Sequence, residues 1–380
     1  MTTICDPARR LSVEEVDAES DFSRLKEPWN DLVARAGGSG FLRHEWLTAA
    51  WGWCSLSKRD LWILCIYDGP LLVGALPMVQ PFRMPSGEQR LQFLDVPDTQ
   101  WCDALIDPDA GHEVAASMVA CLLDAAHKWD VLRLQRLPGN SMVERWLLPA
   151  LAARGLTARF EAVAVNRSVD LGAPWQNYHS SLSRRTKKAY NHSANRISRA
   201  GGARVEWITA HNCSEADAAS LLEAITSISS QSWKRTTGSS LDCKGPTHFF
   251  RSLTGPACRE GWLSVFILRI GDEAAAMEYQ LTLDGCVYAL RADYKESFAL
   301  LSPGTYLNFQ LLKILFESGS FRTYFMGAGL NPYKARWSAE GENVYAMTLF
   351  APTVRGRVGR LWSQAKPTLR RVKAALQLER

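Results

Sequence analysis

Leu301-Ser302-Pro303-Gly304-Thr305 stands between a strand-like run and a helical pattern. A loop there leaves backbone N–H groups at a helix N-terminus, where the helix dipole favours an anion such as a pyrophosphate. Gly304 would let a phosphate approach the backbone, and Ser302 or Thr305 could cap or donate. The same residues also read as a plain helix start, with Ser302 as N-cap and Pro303 at the first helical position. Gly329-Leu330-Asn331-Pro332-Tyr333-Lys334-Ala335-Arg336-Trp337 comes next. Tyr333 could give a proton to a leaving group, and Lys334 or Arg336 could hold a negative one. In the alternative, Tyr333 and Trp337 are core anchors four residues apart and the charges are solvated. Glu278 interrupts an apolar strand pattern. It would serve as a general base if partly buried, or it lies on a wet strand face. Trp233-Lys234-Arg235 sets an aromatic beside two cations, which suits an acidic or sugar-like acceptor or simply a helix C-terminus.

Other chemistries find less support. The seven histidines are scattered and form no Ser/His/Asp order. The nine cysteines show no CxxC and no metal-ligand spacing, so they read as buried thiols of a reduced compartment, and no metal is expected. Met1 to Asp17 carries acids and no apolar leader, and Leu61 to Val79 is broken by Asp68, Gly69 and two prolines. The expectation is a cytoplasmic protein without a membrane span.

The elements that must position these residues repeat. Trp62 to Tyr67 and Leu71 to Leu76 flank the turn Asp68-Gly69; a strand around Leu91 to Leu94, a helix over His112 to His127 and a strand from Val131 to Leu137 follow. In the second half, Leu263 to Ile270 and Ala274 to Leu281 flank Gly271-Asp272. A strand from Val287 to Arg291, a helix from Thr305 to Glu317 and a strand from Arg322 to Met326 complete the same order. Gly69 and Gly271 lie 202 residues apart, so duplication of one α/β unit is expected. The first-half counterpart of the Ser302 loop, Ile106-Asp107-Pro108-Asp109, is acidic and would repel phosphate.

Charge is unevenly placed. The 380 residues carry a net +5. Leu171 to Val205 holds seven cations, Arg184 and Arg185 among them, and no acid. It reads as a basic helix ended by Gly201-Gly202. Residues 351–380 hold eight cations against Glu379, in two short amphipathic stretches split by Pro367. Each segment contributes +7, which leaves −9 for the rest of the chain.

Trp46-Leu47-Thr48-Ala49-Ala50-Trp51, Ser181-Leu182-Ser183 leading to Arg199-Ala200-Gly201-Gly202, Trp233-Lys234, Gly261-Trp262-Leu263, Ser302-Pro303-Gly304 and Pro332 to Trp337 together resemble the CelD/BcsL-like N-acyltransferases. These belong to the GNAT superfamily and are related to the Fem aminoacyl transferases. The resemblance runs from about Asp17 to Phe350. It implies a tandem GNAT fold, acyl-CoA (usually acetyl-CoA) as donor and an amine acceptor, often in cellulose, capsule or exopolysaccharide synthesis. It places Ser302, Pro303, Gly304 and Thr305 at the donor pyrophosphate, and Tyr333 and Lys334 near the reacting end. The family often has an acid four residues before the glycine matching Gly329, and an Asp where this chain has Lys295. Here the first place is Phe325, which shifts weight to Glu278.

The expected protein is therefore an α/β tandem GNAT enzyme with a basic connector and a basic helical tail. Its divisions fall at 1–165, 166–350 with the acyl-CoA site, and 351–380. Glu278 is the expected base, direct or through water, and Tyr333 the expected acid. Trp233, Lys234, Lys334, Arg336, Arg184 and Arg185 are the expected acceptor contacts. The acceptor is an amine on a small molecule, sugar or envelope precursor. Two other readings stand beside it: a Fem-like transferase using aminoacyl-tRNA bound on 171–205, and a silent GNAT scaffold of a polysaccharide complex whose tail touches membrane.

Overall fold

A computed structural model describes residues 11–57, 59–84, 87–329 and 333–363. The first half contains β1 (Leu11–Val16), α1 (Glu19–Arg24), α2 (Lys26–Arg35), α3 (His44–Cys54), β2 (Leu61–Asp68), β3 (Leu71–Arg83), β4 (Gln89–Phe93), β5 (Leu105–Ile106), α4 (Gly111–Asp124), β6 (Val131–Leu137), α5 (Leu148–Ala153) and β7 (Arg159–Asp170). Next come α6 (Trp175–Ser181), α7 (Arg184–Arg199), β8 (Ala203–Thr209), α8 (Ala218–Ser229), α9 (Lys244–Arg259), β9 (Leu263–Ile270), β10 (Glu273–Leu283), β11 (Cys286–Tyr294), α10 (Pro303–Ser318), β12 (Thr323–Ala328) and β13 (Gly341–Phe350).

All thirteen strands join one sheet in the order β1-β2-β3-β4-β6-β13-β7-β12-β11-β10-β9-β8, with β5 against β3. The two expected units are both present, and each ends in an exchange. β7 follows β6 in the chain yet pairs with β12, while β13 follows β12 yet pairs with β6. The two exchanged strands pair with each other, Gly341 with Arg167 and Thr348 with Arg159. No local pattern announces such a swap, because either neighbour would satisfy the same alternation of side chains.

Apolar patterning explains the layers. β2 and β9 are buried nearly throughout, as continuous apolar runs covered on both faces should be. On one face, α2, α3, α8 and α9 share one core across both halves, with Trp46 edge-on to Phe249 at 5.0 Å. The other face carries separate cores, one under α4 and one under α7 and α10. The basic connector is two helices. Leu182 is extended, and the Ser183 side chain accepts from the Thr186 N–H at 3.1 Å, so α7 starts afresh. Its end is as expected: Gly201 and Gly202 have φ of 106° and 82°. The helix expected at Thr305 starts two residues earlier, at Pro303.

Within each half, one parallel pair is short. β4 meets β6 only at Arg90–Leu91, and β11 meets β12 only over Cys286–Tyr288. Past those points the strands diverge and leave a cleft between them. Of the tail, residues 354–363 form a helix, and the stretch beyond Pro367 lies outside the described residues. No described helix is long and apolar enough to cross a membrane.

Candidate active site

The cleft beside β11 widens into a cavity of about 420 Å3 lined by Trp233, Lys234, Glu278, Gly304, Tyr333 and Lys334, among others. Sequence positions a hundred residues apart converge because β10, β11, α10 and the chain after β12 meet at one point of the sheet. Glu278 is 4% exposed, which decides between the buried and wet readings. Tyr324 donates to its Oε1 at 2.6 Å and Gln280 Nε2 at 2.8 Å. Ser264 donates to Gln280 at 3.0 Å and Trp207 to Ser264 at 3.0 Å, so a relay fixes the carboxylate from behind. Both bonds fall on Oε1, leaving Oε2 for a substrate proton. Burial pushes the carboxyl above its ordinary range, against the pull of Tyr324, Gln280, Lys334 and Lys234.

Tyr333 donates to the Gly304 carbonyl at 3.0 Å, tying the segment after β12 to the first turn of α10. Burial raises its phenol, and the Glu278 charge raises it further. Tyr333 also stands 6.2 Å from the buried Trp337 ring, so it is anchored as well as exposed to the cavity. Lys334 donates to the Gly327 carbonyl at 2.8 Å, and burial lowers its amine. Lys234 pairs with Asp293 at 2.7 Å and donates to the Ala292 carbonyl at 2.8 Å. Trp233 is 50% exposed at the rim.

At the loop before α10, Ser302 has φ 55° and no side-chain cap bond. The left-handed turn aims its carbonyl at the Thr305 N–H, 3.1 Å away. The capping role expected of the Ser302 hydroxyl is thus filled by its backbone. Ser193 and Arg196 of α7 donate to the Leu301 and Leu300 carbonyls at 2.6 and 2.8 Å, fastening the loop. Among the described residues, a side chain at Gly304 would meet only the Tyr294 ring, at 3.7 Å.

Not every expected contact reaches this cavity. Arg185, Arg336 and Thr305 line a separate open groove of about 1030 Å3 between α7 and residues 335–340. Arg184 faces outward on α7 with Lys188. Leu330, Asn331 and Pro332 lie outside the described residues. Lys295, where the resembling family has an Asp, is held by Glu273 at 2.7 Å.

Several residues of the site were invisible beforehand. Gln100, from the first half, donates to the Ala289 carbonyl at 2.9 Å and accepts from Asn166 at 3.0 Å. Asp98 and Arg291 form a buried double contact at 2.7 and 2.9 Å across the halves. Asn308 is 2% exposed, lines the cavity, and its Nδ2 has no partner among the described residues. Gln280 alone had a signal, its position two residues from Glu278 on the same strand face. Among the described residues, no group of three or more His, Cys, Asp and Glu is placed to hold a metal.

Residues 184–335 match an acetyltransferase (GNAT) domain. That stretch is a GNAT domain, and the chain is an acyltransferase. No curated protein matches the sequence. Among solved structures, FemX is similar at 10% identity and TM-score 0.53, over 92% of this chain and 99% of that one. The C-terminal domain of a protein described as a lysylphosphatidylglycerol synthetase from Agrobacterium fabrum gives 11% and 0.52, over 90% and 97%. L-PGS from Bacillus licheniformis gives 12% and 0.51, over 86% and 91%. At such identities the likeness is one of fold. The matched stretch lies in the second half, as the cavity does, and a GNAT domain implies acyl-CoA use in general.

Proposed function

We propose that the chain transfers an acyl group, acetyl in the simplest case, from acyl-CoA to an amine on a sugar or cell-envelope precursor, as its resemblance to CelD/BcsL-like N-acyltransferases suggests. The observation that carries this reading is one cavity holding a buried carboxylate, a tyrosine and the open N-terminus of α10. The donor pyrophosphate lies at Ser302 to Thr305, against the Gly304 backbone. Its arm enters between β11 and β12, where the Asn308 amide is available to an amide carbonyl of the donor. Glu278 Oε2 takes the proton from the acceptor amine, directly or through water, as nitrogen attacks the thioester carbon. Tyr333 returns a proton to the departing thiolate. Holding both substrates in one cleft supplies much of the rate. Lys234, Lys334 and Trp233 contact the acceptor. Residues 166–350 form the working half and 1–165 its supporting half.

Acetyl-CoA calorimetry with the native chain and with Gly304→Val tests the reading. Saturable binding that the substitution weakens by about tenfold or more is expected, and absence of binding by any acyl-CoA overturns it. A second reading, transfer from aminoacyl-tRNA, draws on the outward cations of α7. It requires tRNA binding that weakens steeply with salt and is lost when Arg184, Arg185, Lys187 and Lys188 are neutralised.

A further inference from the structure

The helix 354–363 is inside out. Val354, Val358, Leu361 and Trp362 are 78, 53, 67 and 60% exposed. At about 100° per residue they fall on one narrow arc. The opposite side carries glycine: a side chain at Gly356 would strike the Ala351 backbone, and one at Gly359 would touch the Phe350 ring at 3.5 Å. The small residues therefore face the protein and the large apolar ones face outward, the reverse of a helix packed on its own domain. Arg355 and Arg357 flank the apolar arc on its two sides, and Arg360 lies beyond Arg357. Arg355 also reaches Asp130 at 3.0 Å, which sets the helix against the start of β6.

We infer that this helix is an interfacial anchor for an anionic lipid bilayer. Its apolar arc enters the headgroup boundary while the flanking arginines meet lipid phosphates. Charge complementarity selects the occupant. Residues 351–378 contain no acid, and a second copy of the same helix would bring like charges together. Strand directions add a consequence. β6 is antiparallel to β13, β13 to β7 and β7 to β12, so the start of β6, where the helix sits, shares a sheet edge with the C-terminal ends of β11 and β12. The donor cleft opens at that edge. On the acyltransferase reading, the anchor turns the cleft toward the membrane, and the acceptor amine belongs to a membrane-borne molecule. The anchoring itself rests on the helix alone.

The test is flotation of the full chain with vesicles of phosphatidylglycerol and phosphatidylcholine, against phosphatidylcholine alone. The native chain is expected to float with the anionic vesicles. Leu361→Ser with Trp362→Ser, both at exposed positions, should cut bound protein by about tenfold or more. Arg357→Glu with Arg360→Glu should erase the preference for phosphatidylglycerol. A native chain that stays behind, or a Ser double variant that floats equally well, overturns the inference. So does a dimer in sedimentation velocity that the Ser variant dissolves. Acetyl-CoA calorimetry in solution is independent of lipid, so failure of the anchor and failure of the acyltransferase reading are told apart.

Discussion

In each half a short parallel strand pair diverges, and the chain that runs from it to the following helix differs in length. After β4 the chain takes seventeen residues to reach α4, whereas β11 is separated from α10 by eight. The longer link in the first half spans its own cleft. The Cys102 N–H donates to the Arg136 carbonyl at 2.9 Å, and the Arg136 side chain holds Asp95 at 2.9 Å and the Thr99 carbonyl at 2.6 Å. At the head of α4, the Trp146 ring lies 2.6 Å from where a Gly111 side chain would stand, and Asp107 caps the Asp109 N–H. At the head of α10, a side chain at Gly304 would be in ordinary contact with the Tyr294 ring, 3.7 Å away. The first-half loop also sends Asp98 and Gln100 into the other half, onto Arg291 and the Ala289 carbonyl.

Buried carboxylates make the contrast testable. Glu278→Gln should cost about 10²–10⁴ in kcat, the usual worth of a positioned base, while the acetyl-CoA dissociation constant changes little. Its first-half counterpart in burial, Asp103, accepts N–H bonds from Met142, Val143 and Ala104 at 2.7, 3.1 and 2.8 Å. Asp103→Asn should leave turnover intact. Steady-state kinetics on both variants decides, and equal losses would erase the distinction between working and supporting halves.

Across the seam, Arg291→Met leaves Asp98 buried without its partner. Urea unfolding should show a loss of about 3–5 kcal/mol, the scale of a broken buried pair. At the helix heads, Gly304→Val should weaken acetyl-CoA binding by about tenfold or more, since the anion must approach the backbone closely. Trp146→Ala, which uncovers the other helix head, should create no donor site, because Asp107 and Asp109 remain there.

The smallest effects are in pH. Burial raises the Glu278 carboxyl, and a base must be ionised, so kcat should rise with pH through a midpoint above the ordinary carboxylate range. The Gln variant should lack that limb. Asp103 is raised to about 7 by burial, against its three N–H bonds. Between the ordinary carboxylate range and about 7, the folded chain keeps a proton that the unfolded chain releases. Stability therefore falls as pH rises through that window, and Asp103→Asn should flatten the fall in Tm.

Much of the fold was readable from local pattern. Turn residues at Asp68-Gly69 and Gly271-Asp272 and the 3.6-residue spacing in α4 and α10 mark elements that form from their own neighbours. The helix start at Pro303 and the basic run of α7 belong to the same class. The exchange of β7 and β13 does not, because a strand's alternation says which face is buried and not which strand lies beside it.

What the sequence determined by itself was therefore the repeated unit, the loop at the head of α10, and Glu278 and Tyr333 as chemistry worth watching. Tertiary structure alone decided that Glu278 is dry and held by Tyr324 and Gln280, and that Arg184 and Arg185 stand apart from it. It also decided that Gln100 and Asp98 cross from the other half, and that the helix after Phe350 turns its apolar side outward. Each of these depends on contacts between residues distant in the chain, where burial and partner identity are set by how whole elements pack.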